Sequence, residues 1–196
     1  MGELLLVRHG ETTWSAAGRH TGRTDLPLTA AGEAAAAALA GPLRGRPLAA
    51  AFSSPARRAV RTAELAGVAA VRTDPDLAEW DYGGYEGITR DQIRAGRPGW
   101  DLWRDGIVPG GAGHPGESLA DVGRRADAVL GRVGPLLADG DVALFSHGHL
   151  LRVLAARWLC LEPTAGRLFR LGTGSLSALG TEHGGPVISG WNLTPG

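Results

Sequence analysis

Leu4-Leu5-Leu6-Val7-Arg8-His9-Gly10-Glu11-Thr12 is the stretch whose reading decides the fold of this 196-residue chain. Consecutive apolar residues ending in a β-branched one predict a short buried strand. Gly10 lets the backbone turn sharply after it. In an open α/β sheet, ligands gather outside the carboxyl ends of the strands. Arg8 and His9 therefore stand where chemistry is expected: a guanidinium for an anion and an imidazole for a nucleophile. Taken alone, the same residues also allow a strand end with two solvated polar side chains.

Outward from that strand, the chain alternates helix and strand signals. A polar loop covers Thr13 to Leu28, and Thr29 caps a helix over Gly32 to Leu43. Leu48 to Ser53 reads as a second strand, after which Ser54 as cap and Pro55 as first residue open a helix to Ala66. Val68 to Arg72 predicts a third strand, and Thr89 with Gln92 a capping box whose helix ends near Gly96. Ser118 to Leu137 is the longest predicted helix. Asp141 to Phe145 is a fourth strand, followed by a helix over Gly148 to Leu161. Ser175 to Leu179 and Pro186 to Trp191 complete the sheet. No linker, repeat or low-complexity tract interrupts this order, so one domain over 1–196 is expected.

Hydrophobic residues make up 43% of the chain and charged ones 20%, the balance of a soluble globular protein. Twenty basic residues face twenty acidic ones, which gives no electrostatic reason to expect nucleic acid or an anionic membrane as partner. Cys160 is the single cysteine, so no internal disulfide forms, and its apolar flanks predict a buried thiol. Met1-Gly2-Glu3 has no basic leader character and no apolar run reaches membrane-spanning length, so a cytoplasmic location is expected. Every basic residue is arginine. The absence of lysine excludes a Walker A lysine, a Schiff-base lysine and hence ordinary pyridoxal-phosphate chemistry. Arginine's planar fork suits phosphate, although a G+C-rich coding sequence produces the same bias.

Three strand ends now carry Arg or His chemistry: Arg8-His9-Gly10, Ser146-His147-Gly148, and Ser53-Ser54-Pro55 with Arg57 in the next helical turn. A helix start already attracts phosphate through its free N–H groups. If the strands run parallel, Arg8, His9, Arg57 and His147 meet at one edge. Arg57 and Arg61 lie one turn apart and Arg58 does not, so only one or two of these arginines can face that edge. His147 and His149 invite a metal reading, but a zinc site needs about three or four ligands and no cysteine or carboxylate gathers there. Gly111 to Gly116 formally matches a dinucleotide fingerprint, yet no strand precedes it and Pro115 interrupts it. His20, His114 and His183 sit in polar or glycine-rich loops and are expected to be solvated. Glu79 on its spacing alone is either a surface carboxylate or a catalytic one.

Together these motifs resemble the histidine phosphatase superfamily, also called phosphoglycerate mutase-like. The resemblance runs through Leu6-Val7-Arg8-His9-Gly10-Glu11-Thr12, Asp25-Leu26-Pro27-Leu28-Thr29 with Gly32, Ser53-Ser54-Pro55 with Arg57 and Thr62-Ala63, Glu79 to Gly83 with Glu86-Gly87, and Ser146-His147-Gly148. Ala78 to Gly87 and Trp103 to Gly106 are similar in particular to the acid phosphatase and sedoheptulose-bisphosphatase-like branch. The resemblance implies an α/β fold, a three-layer αβα sandwich around a mostly parallel sheet. It implies His9 as the nucleophile and Glu79 as the proton donor, with Arg8, Arg57 and His147 around the phosphoryl oxygens and the Gly148 backbone nearby. Ser15 stands where many members carry an asparagine that contacts phosphate. Thr21 and Gly22 align with a substrate-contacting loop, and Tyr82 and Arg90 with positions touching the non-transferred part of the substrate.

The implied activity is a phosphomonoesterase acting on a small phosphorylated metabolite, without metal or cofactor. Two other readings stand beside it: a phosphoglycerate mutase, and a non-catalytic module that binds phosphorylated ligands. Mutases carry a longer insertion before Ser-His-Gly with an arginine pair that grips the substrate carboxylate. Here the region is short and Arg124-Arg125 falls inside the long helix, which favours hydrolysis. A protonated Glu79 implies a preference for mildly acidic pH. The oligomeric state stays open, the final strand being a candidate for pairing across a homodimer.

Overall fold

The computed structural model describes residues 2–195; Met1 and Gly196, the ends of the expected domain, lie outside it. Its strands are β1 (Leu4–Arg8), β2 (Leu48–Ser53), β3 (Arg72–Thr73), β4 (Asp141–Ser146), β5 (Leu176–Glu182) and β6 (Gly185–Leu193). The helices are α1 (Thr13–Ala16), α2 (Ala30–Ala38), α3 (Ala40–Leu43), α4 (Arg57–Leu65), α5 (Arg90–Gly96), α6 (Leu102–Asp105), α7 (Leu119–Val133) and α8 (Gly148–Trp158). One sheet runs in the order β3-β2-β4-β1-β5-β6. β3, β2, β4 and β1 are parallel, while β5 and β6 add antiparallel.

Strand alternation builds the layers. Leu4 and Leu6 of β1 join Val142 and Leu144 beneath Val122, Ala126 and Val129 of α7 and Leu150, Leu151 and Leu154 of α8. Leu5 and Val7 point the other way, with Ala143 and Phe145, against Leu39, Leu43 and Ala63. Period-two alternation therefore buries both faces of β1, and each fully buried leucine contributes about 1.5–3 kcal/mol. Arg8 pairs in register with Ser146, and Ser53 with Phe145, so three parallel strands end side by side. That common edge carries the chemistry-bearing residues.

Several local expectations change. The expected loop after β1 contains α1, closed by a capping box between Thr12 and Ser15. The expected helix over Gly32 to Leu43 is two helices, α2 starting earlier under the Thr29 cap and α3 following a break at Leu39. α4 begins at Arg57, not at Pro55: its cap residue is Ala56, in extended conformation and without a side-chain bond. Ser54 closes a turn ahead of the helix: its hydroxyl accepts from Ala56 N–H at 3.3 Å and from His147 Nε2 at 2.7 Å. The third strand shrinks to Arg72–Thr73, where β2 supplies partners only at Phe52 and Ser53. The longest helix ends at Val133 and continues as a 3-10 segment through Ala138. Cys160 is exposed rather than buried. It sits just past α8 with φ +59°, the left-handed conformation that ends a helix and turns its side chain away from the apolar face.

Candidate active site

His9 is 5% exposed, and its tautomer follows from one contact. Nδ1 lies 2.7 Å from the Gly10 carbonyl, an acceptor only, so Nδ1 carries the hydrogen and Nε2 keeps its lone pair. Thr62 of α4 accepts the Gly10 N–H at 3.0 Å and so holds the turn. A side chain at Gly10 is excluded, since a Cβ there would stand 2.3 Å from the Gly32 carbonyl oxygen. Burial pushes the His9 imidazole well below its ordinary pKa, and the Arg8 and Arg58 charges push it further. His9 is a neutral, oriented imidazole whose Nε2 lone pair is free.

Two arginines frame it, and one is not the expected one. Arg8 extends from β1, donates from Nη1 to the Leu171 carbonyl at 2.5 Å, and lines the same cavity as His9. Arg57 does not join them: it is exposed on another face, with its backbone N–H bonded to Asp25 Oδ1 at 3.0 Å. Arg58 takes that place. It is 1% exposed, and its Nε donates to His147 Nδ1 at 3.2 Å. Nη1 donates to the Thr24 carbonyl, and Nη2 to those of Thr21 and Gly22. α4 starts two residues later than expected, and its buried face is Arg58, Ala59, Thr62 and Ala63. The Ala59–Ala63 pair at helical spacing was the available signal. It fixes the inward face, and Arg58 with Thr62 completes it.

His147 follows β4. Because Nδ1 accepts from Arg58, Nε2 bears the hydrogen and donates to Ser54 Oγ at 2.7 Å. The His9 and His147 ring centroids are 5.1 Å apart, edge to face. Gly148 lets Arg8 reach the start of α8, since a Cβ there would stand 3.2 Å from the Arg8 guanidinium carbon. Glu79 caps the same helix. Oε1 accepts from Leu150 N–H at 3.0 Å and Trp80 N–H at 2.9 Å, and Oε2 from His149 N–H at 3.1 Å. The carboxylate is thus aimed by a helix start, favoured by both its N–H groups and its dipole.

The remaining expected residues divide. Ser15 lines the cavity, but its hydroxyl accepts from Thr12 N–H and donates to the Thr12 carbonyl. Thr21 lines the cavity too and supports Arg58 through its carbonyl, as Gly22 does. Tyr82 is 2% exposed on the cavity wall, its hydroxyl 2.6 Å from His149 Nδ1. Arg90 stands further out, paired with Asp101 at 3.3 Å.

Sequence reasoning missed four supporting residues: Ser54, His149, Glu117 and Arg125. Glu117 accepts from Asp81 N–H and pairs with Arg125, whose guanidinium also binds the carbonyls of Asp76, Ala78 and Glu79. This brace holds the segment bearing Glu79, and no local sequence pattern announces it. His20 is not solvated as expected; it packs against Tyr82 with centroids 4.8 Å apart and bonds the Ile88 carbonyl.

Burial lowers the pKa of His147 and His149 as well as His9. An unfolded chain binds protons on these rings below pH about 6.5, while the folded protein leaves them neutral. Stability is therefore full above that pH and falls as the pH drops. The slope is about 1.4 kcal/mol per pH unit for each such histidine. Thermal melts from pH 7.5 to 5 should show a steadily falling midpoint, and a flat profile would contradict three neutral buried rings.

The comparisons agree with this geometry. The model of the histidine phosphatase superfamily (branch 1) matches residues 4–194. An acid phosphatase of Mycobacterium tuberculosis is 42% identical over 97% of this chain and 92% of its own length. A probable phosphoglycerate mutase of Yersinia enterocolitica is 36% identical over 96% of this chain and 89% of its own. A solved structure of a Mycobacterium tuberculosis open reading frame superimposes with a TM-score of 0.92 at 39% identity, covering 100% of this chain and 99% of that one. With its Arg-His-Gly strand end, its second Ser-His-Gly end and its helix-capping glutamate, the chain belongs to the histidine phosphatase superfamily (branch 1).

Proposed function

We propose that this protein is a phosphomonoesterase that releases phosphate from a small phosphorylated metabolite through a covalent phosphohistidine on His9. The observation that carries the reading is the His9 tautomer: Nδ1–H is held by Gly10, and Nε2 is left as the nucleophile in a cavity shared with Arg8 and Glu79. In the first step the Nε2 lone pair forms the N–P bond as the ester P–O bond breaks, and the leaving oxygen takes a proton from Glu79. In the second, water attacks phosphorus, returns a proton to Glu79, and the N–P bond breaks to give free phosphate and neutral His9. Arg8 and Arg58 neutralise the charge that spreads over the phosphoryl oxygens, the dominant requirement of this reaction. Splitting one displacement into two lowers each barrier.

Hydrolysis is favoured over phosphoglycerate mutase chemistry by how the Arg124-Arg125 pair is used. Arg124 pairs with Asp121 on the surface of α7, and Arg125 is held by Glu117 and three carbonyls. Neither is left to grip a substrate carboxylate. Incubation with labelled phosphate ester and an alkaline quench, which spares phosphohistidine, should leave label on the His9 peptide. With 3-phosphoglycerate and 2,3-bisphosphoglycerate, phosphate release should outrun isomerisation. The opposite order would make the protein a mutase, and an unlabelled His9 would remove the covalent route.

A further inference from the structure

Glu79 sits among groups that stabilise its ionised form. Three backbone N–H groups, those of Trp80, His149 and Leu150, point into its carboxylate. Donors to the ionised form and a helix dipole both favour the anion. The reaction proposed above needs the neutral acid. Some other contact has to favour the proton, and the polar side chains beside Glu79 that the reaction leaves unused are Tyr82 and His149.

The Tyr82 hydroxyl lies beside the Glu79 carboxylate and 2.6 Å from His149 Nδ1. Burial, and then the Glu79 charge, holds the phenol well above its ordinary pKa, so Tyr82 keeps its proton. Trp80, Tyr82 and Trp103 pack around the His149 ring. Burial there holds the imidazole well below its ordinary pKa, and Arg152, His20 and Arg8 push in the same direction. His149 is therefore neutral, with one hydrogen and one lone pair. Like Arg152, it lines both the His9 cavity of about 200 Å³ and a wider chamber of about 930 Å³ beyond it. The other charges in reach are Arg8, Arg58 and Arg152 around Glu79, and Glu86 near Tyr82. None of them bonds the Tyr82 hydroxyl, whose partner is His149.

Two hydrogen-bond orders fit these three groups. In the first, His149 Nδ1 accepts the Tyr82 hydrogen, and the phenol oxygen is left to accept from a protonated Glu79. In the second, His149 Nδ1–H donates to the phenol oxygen, and Tyr82 donates to an ionised Glu79. An imidazolium, with hydrogen on both nitrogens, permits only the second. We infer that His149 is a positioning residue for Glu79: by taking the Tyr82 hydrogen at Nδ1 it makes the phenol oxygen an acceptor, which holds the proton on the Glu79 carboxyl until the leaving oxygen takes it. At that transfer the Glu79 O–H bond breaks and the leaving oxygen gains the proton. The Tyr82 O–H then turns from His149 to the new carboxylate without leaving its oxygen, and the proton returned by the attacking water restores the first order. The inference deepens the phosphatase reading and rests on it for the role of Glu79.

Two esters of similar size separate proton donation from binding: p-nitrophenyl phosphate, whose leaving group barely needs a proton, and phenyl phosphate, whose leaving group does. Tyr82→Phe and His149→Ala should each lower kcat on phenyl phosphate roughly tenfold relative to kcat on p-nitrophenyl phosphate, the effect of one hydrogen bond made only to the protonated acid. The alkaline limb of the phenyl phosphate profile should move about one pH unit lower, because less of Glu79 then keeps its proton as the pH rises. His149→Asn, whose amide oxygen accepts in place of Nδ1, should recover most of both effects. A merely structural role would slow the two esters equally and leave the limb in place. Infrared difference spectra give a readout that needs no turnover. The carboxylic acid C=O band, assigned by its loss in Glu79→Gln, should weaken in His149→Ala at matched pH and return in His149→Asn. An unchanged ester ratio, or an unchanged band, overturns the inference while turnover itself leaves the phosphatase reading standing. If wild-type protein cleaves neither ester, the phosphatase reading fails, and the infrared band alone decides the hydrogen-bond order.

Discussion

His9→Ala protein is expected to turn over p-nitrophenyl phosphate at least about 10⁴-fold more slowly than wild type, because removing the nucleophile of a covalent mechanism costs on the order of 10⁶ in well-studied enzymes. The leaving group here is good, so proton donation by Glu79 matters little and the loss reports attack at phosphorus. Arg8 and Arg58 remain to bind the ester, so affinity for phosphate should survive. The fold should survive as well, since His9 contributes one side-chain bond, to Gly10, and burial disfavours only its protonated form. Steady-state phosphate release with thermal melts checks both halves. Activity within tenfold of wild type would mean that water attacks the ester directly and that His9 is not the nucleophile. A wild type with no turnover on any ester would instead mark a module that only binds phosphorylated ligands.

The second large effect is a contrast between neighbours. Arg58→Ala should lower kcat/KM by about 10³-fold, the range seen when one fixed donor to transition-state charge is removed. Arg57→Ala should change kcat/KM less than about twofold and stability by about 0.5 kcal/mol or less, as for an ordinary surface substitution. The physical difference is position alone. Arg58 is buried against His147 and three backbone carbonyls, whereas Arg57 faces outward beside Asp25. Arg58→Ala also leaves those carbonyls short of a donor, so its melting midpoint should fall. Arg58→Lys separates the two losses: it keeps a charge but loses the planar fork, so it should restore part of the stability and little of the rate. Equal losses at 57 and 58, or a larger one at 57, would place the phosphate elsewhere.

The Arg57–Arg58 exchange shows where local reasoning ends. Helical spacing restricts which arginines can share a face and the Ala59–Ala63 stripe marks the inward one, but which arginine flanks it is settled by packing against His147 and the Thr21, Gly22 and Thr24 carbonyls. The helix start was assigned to Ser54 and Pro55 by their capping character. The Ser54 hydroxyl closes a turn on Ala56 N–H and also binds His147, 93 residues away along the chain, and the helix begins at Arg57. Glu79 behaves similarly. Its carboxylate is aimed by N–H groups of α8, some 70 residues distant, and its backbone is braced by Glu117 and Arg125. No local pattern encodes either contact, because both exist only once the layers are assembled.

The chain's own order of residues determined that β1 is a buried strand ending in Arg8-His9-Gly10, that β4 ends in Ser146-His147-Gly148, and that the strands at this edge alternate with helices. Apolar periodicity and turn chemistry act over a few residues, so they can be read locally. Only the tertiary structure decided which guanidinium binds His147, which nitrogen of His9 keeps its lone pair, why Cys160 is exposed, and that Arg152 lines two cavities. Each of those depends on carbonyls, hydroxyls and helix starts that approach from distant parts of the chain, and their positions follow from packing rather than from neighbours in sequence.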